Sequence, residues 1–230
     1  MTTASTSAAP ARTALVTGAA RGIGAAITDA LREQGTDVLT PGRTEMDLAD
    51  SASVASWLTR HGGGIDIVVN NAGINVLNDI EAIIAGDWQQ MVQINLTAPL
   101  QVIQGVAAGM KRRSWGRIVN ISSIFGVVTK ERRGAYSMVK SGLNGLTRTA
   151  AVEFAPHGIL VNSVCPGYVA TDLTRQNNSP ADLEKIAASI PAGRLAEPDE
   201  IARFVAWLCS DANTYLTGQT LLVDGGFTCR

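Results

Sequence analysis

Thr17-Gly18-Ala19-Ala20-Arg21-Gly22-Ile23-Gly24 lies between a short apolar run, Ala14-Leu15-Val16, and a stretch of helical periodicity from Gly22 to Gln34 that stops at Gly35. Glycines inside a strand-to-helix turn let the backbone turn tightly and approach a ligand closely. The helix beginning there offers unpaired N–H groups and the positive end of its dipole, which suits a pyrophosphate. A glycine-rich turn alone also serves purely structural ends. Its place after a first strand and before a helix makes the dinucleotide reading the stronger one. Gly18, Ala19, Ala20, Arg21, Gly22, Ile23 and Gly24 are therefore the first candidate contacts for such a ligand.

Outward from that loop, β-branched apolar runs alternate with amphipathic stretches. The runs are Asp37 to Thr40, Ile65 to Val69, Arg117 to Ile121, Leu160 to Val164 and Thr220 to Val223. Strands this continuously apolar are buried on both faces, which implies a parallel sheet covered by helices on each side. One helix is expected from about Ser51 to Arg60, with Val54, Trp57 and Leu58 on one face. The longest starts near Tyr136 and stops at Pro156-His157-Gly158. No repeat or linker interrupts the pattern, so residues 13–230 read as one doubly wound α/β domain.

Composition agrees. The chain has 230 residues, 46% hydrophobic and 17% charged, enough to bury one sizeable core. A formal net charge of −1 gives no bulk attraction to nucleic acid or an anionic membrane. No uncharged apolar run approaches the roughly 20 residues that cross a bilayer. Residues 1–12 are rich in Ala, Ser and Thr and read as a disordered tail rather than a signal peptide. Cys165, Cys209 and Cys229 lack metal spacing and read as reduced thiols of a cytoplasmic protein, while His61 and His157 stand alone, so no metal site is expected.

The spacing TGxxxGxG is followed by Asn70-Asn71-Ala72-Gly73, Asn95, Ser122-Ser123, Tyr136-Ser137-Met138-Val139-Lys140, Pro166-Gly167 with Thr171, and Asp224-Gly225-Gly226. In that order and over nearly the whole chain, these motifs resemble the short-chain dehydrogenase/reductase family, and most generally its 3-oxoacyl-carrier-protein reductase-like ketoreductases. The resemblance implies a Rossmann-like fold and a homotetramer. It also implies cofactor contacts from Asn71, Ala72, Gly73, Tyr136, Lys140, Pro166, Gly167, Val169 and Thr171. The implied catalytic set is Asn95, Ser123, Tyr136 and Lys140. Tyr136 would be the acid/base, Ser123 (with Ser122 competing) the group polarising the carbonyl, and Asn95 the holder of a water linking Lys140 to solvent. Tyr136 and Lys140 are i, i+4 and share a helix face. A free tyrosine has a pKa of about 10. A cation within about 4–6 Å can lower that by ~1–3 units, so an acidified phenol is expected.

Arg43 follows Gly42, where NAD-preferring sites of this kind place an acid. With Arg21 as a second candidate, and no acid near Gly42 placed to repel a 2′-phosphate, since Asp37 lies at the strand's start, the sequence favours NADP(H) over NAD. Only Thr44-Glu45-Met46 separates Arg43 from Asp47-Leu48. A parallel crossover needs about a dozen residues. The family's helix after the second strand should therefore be absent and its third strand vestigial or missing, with Asp47 and Leu48 still reaching the adenine edge.

The substrate pocket is expected to be walled by Ile74 to Leu77, Ile124 to Arg133 and Tyr168, with a loop-rich lid from Thr171 to about Leu195. Lys130, Glu131, Arg132 and Arg133 read as a solvated loop; any that turned inward would favour an anionic or hydroxylated substrate such as a sugar acid. The expected activity is NADP(H)-dependent interconversion of a ketone and a secondary alcohol. The alternatives are an NAD-dependent dehydrogenase of a sugar, polyol or hydroxy acid, and a 3-oxoacyl-carrier-protein reductase. The last is weakened by Ser114 and His157 where that subgroup carries docking arginines, although Lys111, Arg112 and Arg113 lie close. A dehalogenase-like use of the fold would lose the glycine loop and the lysine, and a non-catalytic sensor has no need of Ser123, Tyr136 and Lys140 together. The expected partner is a small-molecule substrate, with no nucleic acid and no membrane.

Overall fold

Every strand run read from the sequence forms a strand. The computed structural model describes residues 11–229; the expected tail, but for its last two residues, lies outside them. In chain order the strands are β1 (Thr13–Val16), β2 (Asp37–Leu39), β3 (Ile67–Asn70), β4 (Gly116–Ile121), β5 (Ile159–Pro166) and β6 (Thr220–Val223). The helices are α1 (Gly22–Glu33), α2 (Ser51–His61), α3 (Ala85–Val92), α4 (Ala98–Arg113), α5 (Gly134–Phe154), α6 (Asp172–Gln176), α7 (Pro180–Ser189) and α8 (Pro198–Cys209). All strand pairs are parallel, in the order β2-β1-β3-β4-β5-β6.

Period-two alternation divides the apolar residues between two faces. Leu15, Val68, Ile118 and Val161 meet Val54, Trp57, Val102, Val106, Met110 and Phe154 from α2, α4 and α5. Ala14, Val16, Val69, Val119 and Val164 meet Ile27, Leu31, Ile201, Val205 and Leu208 from α1 and α8. α5 is fixed in register by buried amides. Asn70 Nδ2 donates to Asn120 Oδ1 at 2.9 Å, Asn120 Nδ2 donates to Thr147 Oγ1 at 2.9 Å, and Ser163 Oγ donates to Asn144 Oδ1 at 2.7 Å.

The expected truncation is present. Residues 40–50 are turns and loop, no strand lies outside β2 among the described residues, and β2 is the sheet's edge. The chain order reverses at β1 and β3, so the crevice beyond their C-terminal ends is the place where such a sheet binds ligands.

The lid segment 171–195 carries two helices, α6 and α7, and α7 is started by a capping box in which Ser179 and Asp182 satisfy each other's donors. Asn95 lies in a helical stretch of wider π form, Gln93–Thr97, joining α3 to α4.

Candidate active site

A cleft of about 820 Å³ opens at the β1/β3 crevice and runs from the glycine loop past Tyr136 to α6. Its shape near β1 depends on glycines. A Cβ on Gly24 would sit 2.3 Å from the Gly18 carbonyl oxygen, and one on Gly18 would sit 2.9 Å from Ala72 Cα. Asn71 clamps the turn: its Nδ2 donates to the carbonyls of Thr17 at 3.0 Å and Gly18 at 3.1 Å. Thr17 Oγ1 in turn accepts from the amides of Asn71 and Ala72, a positioning role the motif reading did not include. α1 begins with no side-chain cap and no acid in its first turn, so its amides face the cleft free for an anion. The cradle fits a pyrophosphate.

All of the expected cofactor-contact residues line this cleft: the loop from Gly18 to Gly24, Arg43, Asp47, Leu48, Asn71, Ala72, Gly73, Tyr136, Lys140, Pro166, Gly167, Val169 and Thr171. The two candidate arginines differ. Arg21 reaches the lid, its Nη1 lying 3.4 Å from Asp172 Oδ2, whereas Arg43 has no ion pair among the described residues. One acid does lie close to Gly42: Glu45 Oε2 accepts the Gly42 amide at 3.0 Å. The tight turn after Arg43 folds Glu45 back on the loop, but its side chain is outside the cleft lining, where Arg43 stands.

Tyr136, Lys140 and Ser123 converge on one wall. Lys140 Nζ donates to the Ile121 carbonyl at 2.9 Å and lies 5.6 Å from the centre of the Tyr136 ring. Ser122 Oγ donates to the Lys140 carbonyl and is consumed by α5, which leaves Ser123 as the hydroxyl beside the phenol. Asn95 stands behind this wall rather than in it. Its Nδ2 donates to the carbonyls of Ile74 and Met91, while its buried Oδ1 has no partner among the described residues. A Cβ on Gly73 would meet both that Oδ1, at 2.6 Å, and Lys140 Nζ, at 3.5 Å, so the two groups border the same small space.

The electrostatics overturn one expectation. The direction of the Tyr136 shift is set by burial and not by the Lys140 ammonium. Burial pushes the phenol up to about 12, opposed by the Ser123 hydroxyl and the Arg133 guanidinium. Burial also pushes the Lys140 ammonium down to about 8. Burial moves each group toward its neutral form. The phenol is therefore a proton donor across the neutral range.

The far end of the cleft is aromatic. Phe125 packs edge-on against Tyr136 and Tyr168 at 6.5 and 6.2 Å, and Tyr168 meets Phe227 at 5.5 Å. Ile74, Asn75, Phe125, Arg133 and Tyr168 from the expected walls line the cleft; Val76, Leu77, Ile124 and residues 126–132 do not. Lys130, Glu131 and Arg132 are exposed, as a solvated loop requires, but Arg133 is only 4% exposed. Arg132 has a left-handed backbone, φ 65°, which reverses the chain just before α5 and carries its neighbour inward. Gln90 and Met46 also line the cleft, and nothing in their sequence context marked them.

Known proteins share this arrangement. A family model described as enoyl-(acyl carrier protein) reductase matches residues 40–228. A 3-oxoacyl-acyl-carrier-protein reductase of Vibrio cholerae is 37% identical, over 94% of this chain and 96% of its own. The chain belongs to the short-chain dehydrogenase/reductase family. Among solved structures, a candidate NAD(P)-dependent gluconate 5-dehydrogenase from Beutenbergia cavernae, with NADP bound at low occupancy, superposes with a TM-score of 0.92. It is 34% identical, covering 95% of this chain and 97% of its own. A gluconate 5-dehydrogenase from Burkholderia cenocepacia in complex with NADP and tartrate gives 0.86 at 30% identity, covering 95% and 96%. This short-chain dehydrogenase/reductase is an oxidoreductase that interconverts CH–OH and ketone groups with a nicotinamide cofactor. No helix among the described residues is long and apolar enough to cross a membrane.

Proposed function

We propose that the chain uses NADP(H) to reduce a ketone to a secondary alcohol, or the reverse, with Tyr136 as the acid/base. The observation that carries this reading is the convergence of Tyr136, Ser123 and Lys140 on one wall of a cleft whose other end is an uncapped helix behind a glycine loop. NADP, when bound, supplies or accepts the hydride. Glycines 18, 22 and 24, with the α1 amides, would hold its pyrophosphate, Arg43 its 2′-phosphate, Asp47 and Leu48 its adenine edge, and Lys140 the ribose beside the nicotinamide. Pro166, Gly167, Val169 and Thr171 would flank the nicotinamide.

Ser123 donates a hydrogen bond to the substrate oxygen and favours charge developing there. Tyr136 gives its proton to that oxygen. A phenol held near 12 is still a far stronger acid than the alcohol formed, so reduction proceeds at neutral pH. Oxidation needs the phenolate and is favoured by alkaline conditions. The unpartnered Oδ1 of Asn95 beside Lys140 supports a water there that returns the proton.

A homotetramer of the kind usual in the family is supported by apolar side chains left uncovered: Met138 and Val152 on α5, Leu100 on α4, and Trp207, Tyr215 and Leu222 toward the C-terminus. Of the four small residues on α5, Ala150 and Ala151 are buried within the chain's own core and Gly142 faces Leu96 of the same chain, which leaves Gly145 for helix approach. A cytoplasmic location accords with the unpaired cysteines. Carrier-protein docking is weakened further, because Arg113 is tied to Asp66 at 2.7 Å and to the Gly63 carbonyl at 2.7 Å.

The test is NADPH and NADH oxidation followed spectrophotometrically with ethyl acetoacetate, acetoacetyl-CoA and 5-oxogluconate. At least one should be reduced faster with NADPH, and Tyr136→Phe should lower that rate by about 10²–10⁴-fold. Reduction by Tyr136→Phe within tenfold of the parent sinks the assignment.

A further inference from the structure

Arg133 is a buried cation with no counterion. Its side chain makes no hydrogen bond or ion pair among the described residues, its Nε is sealed without a partner, and it lines the cleft beside Tyr136. The guanidinium lies 4.9 Å from the Phe125 ring centre, among aromatic groups rather than carboxylates. Burial, with a smaller contribution from the Arg132 charge, pulls its pKa down, yet arginine stays charged in proteins. A cation in that position loses its hydration, and Coulomb attraction offsets the loss only if an anion arrives. Arg132, the residue before it, has a left-handed backbone, φ 65°.

We infer that Arg133 anchors a carboxylate on the substrate, so that this cleft is built for a short oxo or hydroxy acid rather than for a neutral ketone or a thioester. This rests on the oxidoreductase reading above and adds its substrate class. A guanidinium presents a planar fork that matches a carboxylate with two parallel hydrogen bonds. The setting fits a single negative charge: Arg133 is the one cation buried on the aromatic side of Tyr136 among the described residues, and the neighbouring Lys130 is exposed. Phosphorylated substrates would need more positive charge than this. Phe125 and Tyr168 strengthen the bond by keeping water from it. With the carboxylate held there, the acid's carbon chain lies alongside Tyr136, where a ketone or alcohol carbon meets the phenol.

Isothermal titration calorimetry on the full chain, with and without NADP⁺, tests this independently of turnover. Gluconate, tartrate and acetoacetate are each titrated beside their neutral amides. At least one acid should bind about 10- to 100-fold more tightly than its amide, the range a charge-assisted hydrogen bond supplies. Arg133→Met should erase that preference, and Arg133→Lys should restore part of it. Equal affinity within all three pairs, or a preference for the acid that survives in Arg133→Met, overturns the inference. Since the comparison of acid with amide is made on the parent protein, a variant that fails to fold does not shield it. If acids bind selectively while no carbonyl compound is reduced, the oxidoreductase reading fails and the anchor stands. If ketones are reduced but acids and amides bind alike, the reverse holds.

Discussion

Two buried arginines stand at opposite ends of the sheet, and they differ in one respect. Arg117, at the start of β4, is 5% exposed; Arg133, beyond its end, is 4% exposed. Both lie over an aromatic ring, Trp115 at 4.4 Å and Phe125 at 4.9 Å. But Arg117 donates to the carbonyls of Gly116, Gly158 and Asn213 and feels the charge of Asp211, whereas the Arg133 side chain donates to nothing among the described residues. Both leave Nε unpartnered, but the fold supplies three carbonyls to the Nη groups of the first guanidinium and none to the second among the described residues. A cation whose partners are all internal holds structure together; one left without them is waiting for something the chain does not contain.

That contrast can be broken by measurement. The largest effect should come from Arg117→Met, which orphans three carbonyls at once and should lower stability by about 4 kcal/mol in urea unfolding. Affinity for NADPH should be unchanged, since the site lies at the far end of the strands. Next comes the third buried cation, Lys140. With its native value near 8 against 10.5 for the free group, the unfolded chain holds the extra proton between those two pH values, so stability rises with pH across that window. The parent should therefore gain about 3 kcal/mol relative to Lys140→Met on going from pH 8 to 10.5. A flat difference would mean the ammonium is solvated.

Smaller effects distinguish ligand-directed charges from structural ones. Arg43 is exposed and unpaired, so Arg43→Ala should leave the melting temperature alone while raising KM for NADPH about tenfold and sparing NADH, roughly the value of one exposed phosphate contact. The smallest effect is the most diagnostic. Arg133→Met should shift stability by less than about 1 kcal/mol, or raise it, because removing an unpaired buried charge forfeits no partner. A loss as large as that of Arg117→Met would erase the distinction drawn here.

The sequence showed most of the architecture because both of its periods are strong. Doubly buried strands and a glycine turn at a strand end leave few alternatives, and the three residues between Arg43 and Asp47 forbade a strand that is indeed missing. The shared helix face of Tyr136 and Lys140 was legible from their spacing, and Ser123 from the resemblance to the family's motif order. Their proton affinities were not. A nearby ammonium predicts an acidic phenol only in a medium of known polarity, and the dryness of that wall comes from side chains distant in sequence, such as Phe125 and Ile124. Nor could the chain alone say which of four consecutive charges turns inward; that choice hangs on the left-handed backbone of Arg132, a conformation that no arginine advertises.

The border of the sheet has a consequence of its own. With nothing beyond it, β2 is a bare margin, yet it is only three residues long. So short a ribbon of free amides gives a neighbouring chain too few rungs to zip onto, and one of its residues, Asp37, is an exposed acid. Losing a strand therefore did not leave the molecule with a sticky rim that could seed fibrils.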